Sequence, residues 1–261
     1  MSIHSTAVVS EEATISPEAE IGPFCVISGK VQIGAHTVLD SNVRVGSRLG
    51  EVIIGEHNYL QAGAALGGPP QDLDHNDNPS SLVIGDHNRF GEYATVSLGS
   101  SGGGGVTRIS NRCFLMAYAH LGHDCQIADE VVITNLAQLA GHVTVERKVV
   151  VSGMAGCTQS IRLGELSFLT AGTLANKDVI PYAIADGHWA SLRAVNRVGL
   201  KRARFRADEI RNIDRAVRIV MNSSFTTEEA IQKINDDCLP SPRIEHLIEF
   251  IQKSEKGVAR G

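Results

Sequence analysis

Between Ile109 and Ala175 every sixth residue is small to medium in size and mostly aliphatic: Ile109, Leu115, Leu121, Ile127, Ile133, Leu139, Val145, Val151, Cys157, Leu163, Leu169 and Ala175. No α-helix has that period, because a helical apolar stripe recurs every three to four residues. The rhythm begins earlier, from Ile3 to Val45, resumes at Ile54, Leu60 and Leu66, and returns at Ile84, Phe90 and Val96, giving 26 repeats in all. Periodicity on this scale marks a solenoid, and six-residue repeats belong to parallel β-helices.

Three hexads make one triangular coil, so residues 18 apart stack on successive rungs at the parallel-strand spacing of about 4.8 Å. The apolar residue of each hexad then points inward. Glycines that follow it, such as Gly22, Gly34, Gly55, Gly85, Gly122 and Gly164, are expected to let the backbone turn at the corners. The rhythm breaks over residues 67–83, around the polar run Pro69 to Pro79, and over residues 97–108, around Gly99 to Gly105. Both breaks are expected as flexible loops extruded from a corner, the second being also a candidate lid. It lacks the Lys-Ser/Thr ending of a phosphate-binding P-loop and precedes no helix.

Only 5% of the residues are aromatic and 26 are glycine, which suits a tightly wound coil with small interior side chains. The formal charge of −5 argues against nucleic-acid binding, and no run of 18 apolar residues is present to span a membrane. The first residues, MSIHSTAVVSEEAT, show no basic segment leading into an apolar one, so a cytoplasmic location is expected. Cys25, Cys113, Cys125, Cys157 and Cys238 form no C-x-x-C pair, as befits buried, reduced thiols.

After Ala175 helical periodicity takes over. Residues 207–221 place Ile210, Ile213, Ala216, Val217 and Val220 on one face. Thr226-Thr-Glu-Glu229 is a capping box opening a second helix that reaches about Asn235, and Pro242 opens a third carrying Ile244, Leu247, Ile248 and Ile251. The expected fold is mainly β: a parallel β-helix over residues 1–181, then a helical domain over residues 182–261. Periodicity leaves the hand of the coil open, although parallel crossovers are generally right-handed.

The most reactive side chains ride on the most regular stretch. His123 is the third residue of the hexad opened by Leu121, Gly141 stands 18 residues later, and Gln159 another 18 later. On the lattice these three stack, with glycine between two polar side chains, and Asp124 stacks with His142 in the same way. His120 lies at the preceding corner. The gap over Gly141 gives a substrate carbonyl room to approach, with the Gly141 N–H as oxyanion donor, an imidazole as general base and a carboxylate to orient it. That constellation suits acyl transfer. No Ser or Cys sits in a nucleophile-elbow sequence, so direct attack by an acceptor hydroxyl that His123 deprotonates is the simplest route. Two other readings stay open: His120, His123 and His142 could hold a zinc ion, or the coil could be a catalytically silent trimeric scaffold.

Several segments carry a resemblance: Ile21-Gly-Pro-Phe-Cys25, Gln71-Asp72-Leu73, Gly102-Gly-Gly-Gly-Val-Thr107, Ala119-His120-Leu-Gly-His123-Asp124-Cys125, Leu139-Ala-Gly141-His142-Val143, Gly153-Met154 with Gln159, and Gly199-Leu-Lys-Arg202. Through them nearly the whole chain resembles the acyl-[acyl carrier protein]:UDP-N-acetylglucosamine O-acyltransferase family, whose reaction opens lipid A synthesis. The resemblance implies a left-handed coil, a homotrimer with active sites between subunits, and no cofactor. It implies transfer of a 3-hydroxyacyl or similar chain from acyl carrier protein to the 3-hydroxyl of the nucleotide sugar. It assigns His123 as general base, Asp124 as its orienting partner and Gly141 as oxyanion donor, with His120, His142 and Gln159 lining the site. Asp72 matches a residue that holds the sugar, Asn196 and Arg202 match contacts to nucleotide sugar or acyl donor, and Ala171 matches the position that limits acyl-chain length.

The chain departs from the family pattern in a few places. Asp74 stands where a lysine follows Gln-Asp-Leu, Thr158 and Ser97 stand for histidines, and His188-Trp189 for an Asn-His pair. Asp74 reverses a charge near the substrate phosphates, which leaves a different nucleotide sugar or an amino sugar as the alternative acceptor. Arg193, Arg197, Lys201, Arg202, Arg204 and Arg206 place six cations within 14 residues, a docking patch for an acidic carrier protein.

Overall fold

The structure is a computed structural model that describes residues 2–76 and 80–261; residue 1 and residues 77–79, part of the first expected loop, lie outside the described residues. Short strands, most of them two residues long, assemble into sheets of eleven, nine and eight strands. These sheets are the three faces of a left-handed parallel β-helix, which is followed by helices. In the regular part Phe114 pairs with Val132, Val132 with Val150, and Val150 with Phe168, an 18-residue step each time. Where the rhythm falters the register absorbs extra chain: Ile33 pairs with Ile54, Ile54 with Ile84 and Ile84 with Ile109 before the 18-residue step returns at Ile127. Inserted residues leave the coil without disturbing its rungs.

All twelve repeat positions from Ile109 to Ala175 are buried. A second inward ladder, two residues earlier in each hexad, is buried as well, and its members are small: Cys113, Ala119, Cys125, Val131, Ala137 and Val143. Close packing in a narrow triangular interior leaves the corners room for little else. The five cysteines are buried free thiols, and burial pushes Cys113 up to about 11 and Cys125 and Cys157 up to about 12.

The glycines after the repeat positions do not turn the corners. Left-handed backbone falls three residues after most repeat positions and mostly on non-glycine residues: Tyr118, Asp124, Glu130, Leu136, His142 and Lys148 have φ between 58° and 63°. What the glycines supply is clearance between rungs. A Cβ on Gly34 would lie 2.5 Å from the Gly55 carbonyl oxygen, and one on Gly122 would lie 2.8 Å from the Gly141 nitrogen.

Beyond the last hexads, strands Ala183–Asp186 and Ser191–Val195 form an antiparallel pair that extends the eleven-stranded sheet. Helix α1, Arg197–Arg202, follows; with only Leu200 buried, it leaves no periodic mark in the sequence. Helices α2, Ala207–Met221, α3, Thr227–Asp237, and α4, Pro242–Gln252, bear out the sequence pattern, and Thr226 with Glu229 closes the expected capping box. Among the described residues no helix is long and apolar enough to cross a membrane.

Helix α4 is fastened to the coil by a charged cluster. His246 Nε2 lies 3.0 Å from Glu146, His246 Nδ1 lies 3.1 Å from the Tyr182 hydroxyl, and Arg147 and Arg243 flank Glu165 beside them. The hydrogen bond to Glu146 raises the His246 pKa above the ordinary 6.5. A raised value means that the contact's stabilisation is full below the ordinary value and is lost as pH rises through the raised one. Melting temperature is therefore expected to fall as pH rises above about 6.5, and His246→Gln to remove that part of the fall in thermal melts. Gly34→Ala is expected to cost about 1–3 kcal/mol in urea unfolding. Gly68→Ala, at a site with nothing within 4 Å of the added carbon, is expected to cost nothing measurable.

Candidate active site

Strand His120–Leu121 brings His123 and Asp124 to the corner where the nine-stranded face gives way to the eight-stranded one. Main-chain bonds from His142 N–H to the His123 carbonyl, 2.9 Å, and from Ser160 N–H to the Gly141 carbonyl, 3.0 Å, stack the rungs here. His123 Nδ1–H donates to Asp124 Oδ2 at 2.8 Å, and each residue is only 4% exposed. That bond leaves Nε2 as the basic nitrogen. Nε2 faces Gly141, where a Cβ would lie 2.5 Å from it, and among the described residues the Gly141 N–H donates to nothing. A proton acceptor and a main-chain donor thus share one hollow.

His142 closes a second side, its ring edge-on to His123 with centroids 4.8 Å apart and its Nδ1 3.9 Å from Asp124 Oδ2. Ligand atoms of His123, Asp124 and His142 lie within 4.8 Å of one another, so the set that converges contains Asp124 rather than the His120 of the expected zinc trio. Asp124 Oδ2 already accepts hydrogen bonds from His123 and from the Ser100 hydroxyl.

The Gly-rich segment is packed against this pair instead of hanging free. Ser100 is fully buried on Asp124, and a Cβ on Gly103 would lie 2.3 Å from Asp124 Oδ2 and 2.4 Å from His142 Cε1. The first inserted loop meets it: Asn76 N–H donates to Ser101 Oγ at 3.1 Å, and Ser101 N–H to His75 Nδ1 at 3.3 Å. Asp72 comes to the same place. The Asp74 N–H, 3.1 Å from Asp72 Oδ1, anchors its carboxylate.

Comparison with known proteins places this geometry in a family. The chain is 38% identical over 260 residues to the acyl-[acyl-carrier-protein]–UDP-N-acetylglucosamine O-acyltransferase of Anaeromyxobacter sp. (strain K), with all of both chains covered. The chain belongs to that O-acyltransferase family. The crystal structure of the UDP-N-acetylglucosamine O-acyltransferase from Moraxella catarrhalis superposes with a TM-score of 0.94 at 36% identity, covering 100% of each chain. The UDP-N-acetylglucosamine acyltransferase of Francisella novicida gives 0.92 at 33%, covering 99% of this chain and 94% of that one. The family model described as UDP N-acetylglucosamine O-acyltransferase, domain 2, matches residues 178–259.

The remaining residues that the family resemblance singled out fall in several places. Half-buried His120 has Nδ1 2.8 Å from Thr95 Oγ1, and burial lowers its pKa, favouring the neutral ring. It opens a groove of about 420 Å³ along the nine-stranded face, with Gly156, Thr158, Leu174 and Trp189. Gln159 is exposed in the column of His123 and Gly141. Asn196 and Arg202 instead line a groove of about 530 Å³ with Val150, Phe168 and Ile184, on the eleven-stranded face. The Asn196 side chain caps α1 by accepting from Gly199 N–H at 2.9 Å and donates to the Leu166 carbonyl at 2.8 Å. Ala171 is exposed at the corner between the eleven- and nine-stranded faces, next to Gly172 with φ 72°.

The sequence pattern assigned no role to Ser100, nor to Gly103 and Thr107 within the Gly102–Thr107 segment that carries the resemblance; the Thr107 hydroxyl accepts from the Asp124 N–H at 2.8 Å. Their glycine-rich surroundings suggested slack chain; the only local signal was a glycine run longer than a turn requires. Gly141→Ala is expected to push the His123 ring aside and lower kcat about 100-fold or more with a much smaller change in KM, as steady-state kinetics would measure.

Proposed function

We propose that the chain transfers an acyl group from acyl carrier protein to the 3-hydroxyl of UDP-N-acetylglucosamine, the reaction that opens lipid A synthesis, with His123 as general base. The observation that carries this is the buried His123–Asp124 pair whose free Nε2 shares a hollow with the unengaged Gly141 N–H. His123 Nε2 takes the proton of the sugar hydroxyl as its oxygen attacks the thioester carbon. The C–O bond forms, and the carbonyl oxygen takes up negative charge that the Gly141 N–H stabilises. Collapse expels the carrier-protein thiolate, which recovers the proton from the imidazolium. Asp124 holds Nδ1–H in place and stabilises that imidazolium while it lasts.

Around this centre Asp72 holds the sugar, and His120, His142 and Gln159 line the approach. The 420 Å³ groove beyond His120, floored by Gly156, Leu174 and Cys157, takes the acyl chain, and Ala171 on the adjoining corner limits its length. Asn196 and Arg202 serve the same site from a neighbouring copy. Their position on a different face of the prism from His123 supports a homotrimer with inter-subunit sites, in which the eleven-stranded face of one chain lies against the His123 corner of the next. A file of exposed apolar residues along the corner between the eleven- and nine-stranded faces, Phe24, Tyr93, Tyr118, Leu136 and Met154, supports such packing.

Of the six clustered cations, Arg193, Arg197 and Arg206 pair with Asp186, Asp214 and Asp208. Lys201, Arg202 and Arg204 are exposed and form no ion pair among the described residues, so these three make the docking surface for the acidic carrier protein.

Incubated with acyl carrier protein thioesters and UDP-N-acetylglucosamine, the protein is expected to release free thiol. His123→Ala is expected to lower kcat about 10²- to 10⁴-fold. Charge reversal at Arg202 and Arg204 is expected to raise the carrier-protein KM and flatten its salt dependence. Absence of thiol release with every nucleotide sugar tried, or a fully active His123→Ala protein, defeats the proposal.

A further inference from the structure

A carboxylate as buried as Asp124 needs hydrogen-bond donors for its lone pairs, because an unsatisfied buried charge is strongly destabilising. Among the described residues, every hydrogen bond to that carboxylate other than the one from His123 comes from Ser100. Its N–H lies 3.1 and 3.0 Å from Asp124 Oδ1 and Oδ2, and its hydroxyl donates to Oδ2 at 2.8 Å. Ser100 is itself 0% exposed. The Gly-rich segment closes back on it, since Gly103 N–H and Gly105 N–H both donate to the Ser100 carbonyl, at 3.1 and 3.0 Å. With Gly103 lying too close to Asp124 to admit a side chain, the run of glycines wraps tightly around one donor residue.

We propose that Ser100 is the positioning residue of the catalytic pair: its N–H and hydroxyl fix the Asp124 carboxylate and draw off part of its charge, and so set the orientation and basicity of His123. The proposal rests on His123 being the general base. Its physical content lies in competition for one oxygen. Asp124 Oδ2 accepts from both the Ser100 hydroxyl and His123 Nδ1–H, so the hydroxyl weakens the hold of the carboxylate on the imidazolium proton. Removing it leaves a more basic carboxylate, a more tightly held proton and a base that is free only at higher pH. The carboxylate also gains freedom to rotate, which loosens the imidazole it aims.

The test compares Ser100→Ala and Ser100→Thr with His123→Ala and with Asp124→Asn, alone and combined with Ser100→Ala, in the full-length protein. Ser100→Ala is expected to lower kcat about 10- to 100-fold, the loss typical of one hydrogen bond to a charged group, while the thioester KM stays within about 2-fold. The acid limb of the kcat/KM profile is expected to move to higher pH. Ser100→Thr keeps the hydroxyl and is expected to restore both kcat, to within about 3-fold, and the profile. In the Asp124→Asn background the same Ser100→Ala change is expected to add less than about 3-fold, because the carboxylate through which it acts is gone. If Ser100→Ala lowers activity by the same factor in both backgrounds and leaves the pH profile in place, Ser100 only holds the loop and the proposal is overturned. If Ser100→Ala behaves as wild type while His123→Ala is inactive, the positioning role is wrong and the general base stands. A fully active His123→Ala protein removes the base itself, and the role of Ser100 with it.

Discussion

The structure depends on one constraint, that each rung of the coil must present its N–H and C=O groups to the next rung at strand spacing while the chain turns three times. Two hydrogen-bonded residues per face are too few to tolerate slack, so the repeat length admits no error within a rung. In most hexads the turn is made by a left-handed residue three places after the buried one, and mostly non-glycine residues occupy it although isolated left-handed backbone costs about 1–2 kcal/mol. The main-chain bonds on both sides of each corner over-determine that conformation, such as His142 N–H to the His123 carbonyl. Asp124 and His142 are two such corner residues. Their projection from the coil follows from the same geometry that lets the coil turn.

The buried His123–Asp124 pair needs more than the lattice. Regular rungs would leave Asp124 on an exposed corner, where water would solvate its carboxylate and compete with His123. The two inserted loops alter that environment. Leaving from the same edge one and two rungs earlier, they meet through Asn76, Ser101 and His75 and bury Asp124 under Ser100 and Gly103. Buried charge interacts more strongly than exposed charge, so enclosing the corner turns an ordinary histidine and aspartate into a coupled pair. The insertions are tolerated because the registers of Ile54, Ile84 and Ile109 close behind them without a shift of face.

Much of the fold was legible in the residues. The twelve-member run predicted which side chains are buried, the spacing of 18 placed Gly141 between His123 and Gln159, and the capping box at Thr226 marked the start of α3. The role of the glycines after the repeat positions was not legible, because clearance between rungs depends on the neighbouring coil and not on local φ preferences. Helix α1 and the strands at Ala183 and Ser191 were silent because one turn or one hairpin is too short to show a period. Ser100 was silent for another reason: a serine in a glycine-rich stretch has the composition of loose chain, and only its burial on Asp124 distinguishes it.

The sequence by itself determined the period, the inward face, the stacking of positions 18 apart and hence the company of His123, Asp124, Gly141 and His142. These follow from a repeat, and a repeat is a property of order along the chain. Only the tertiary structure decided which donors satisfy Asp124, that the glycine run is a clamp, and that Asn196 and Arg202 lie on a different face from His123. Those contacts join segments with no common period, brought together because the coil turns the chain back past the same corner on every rung.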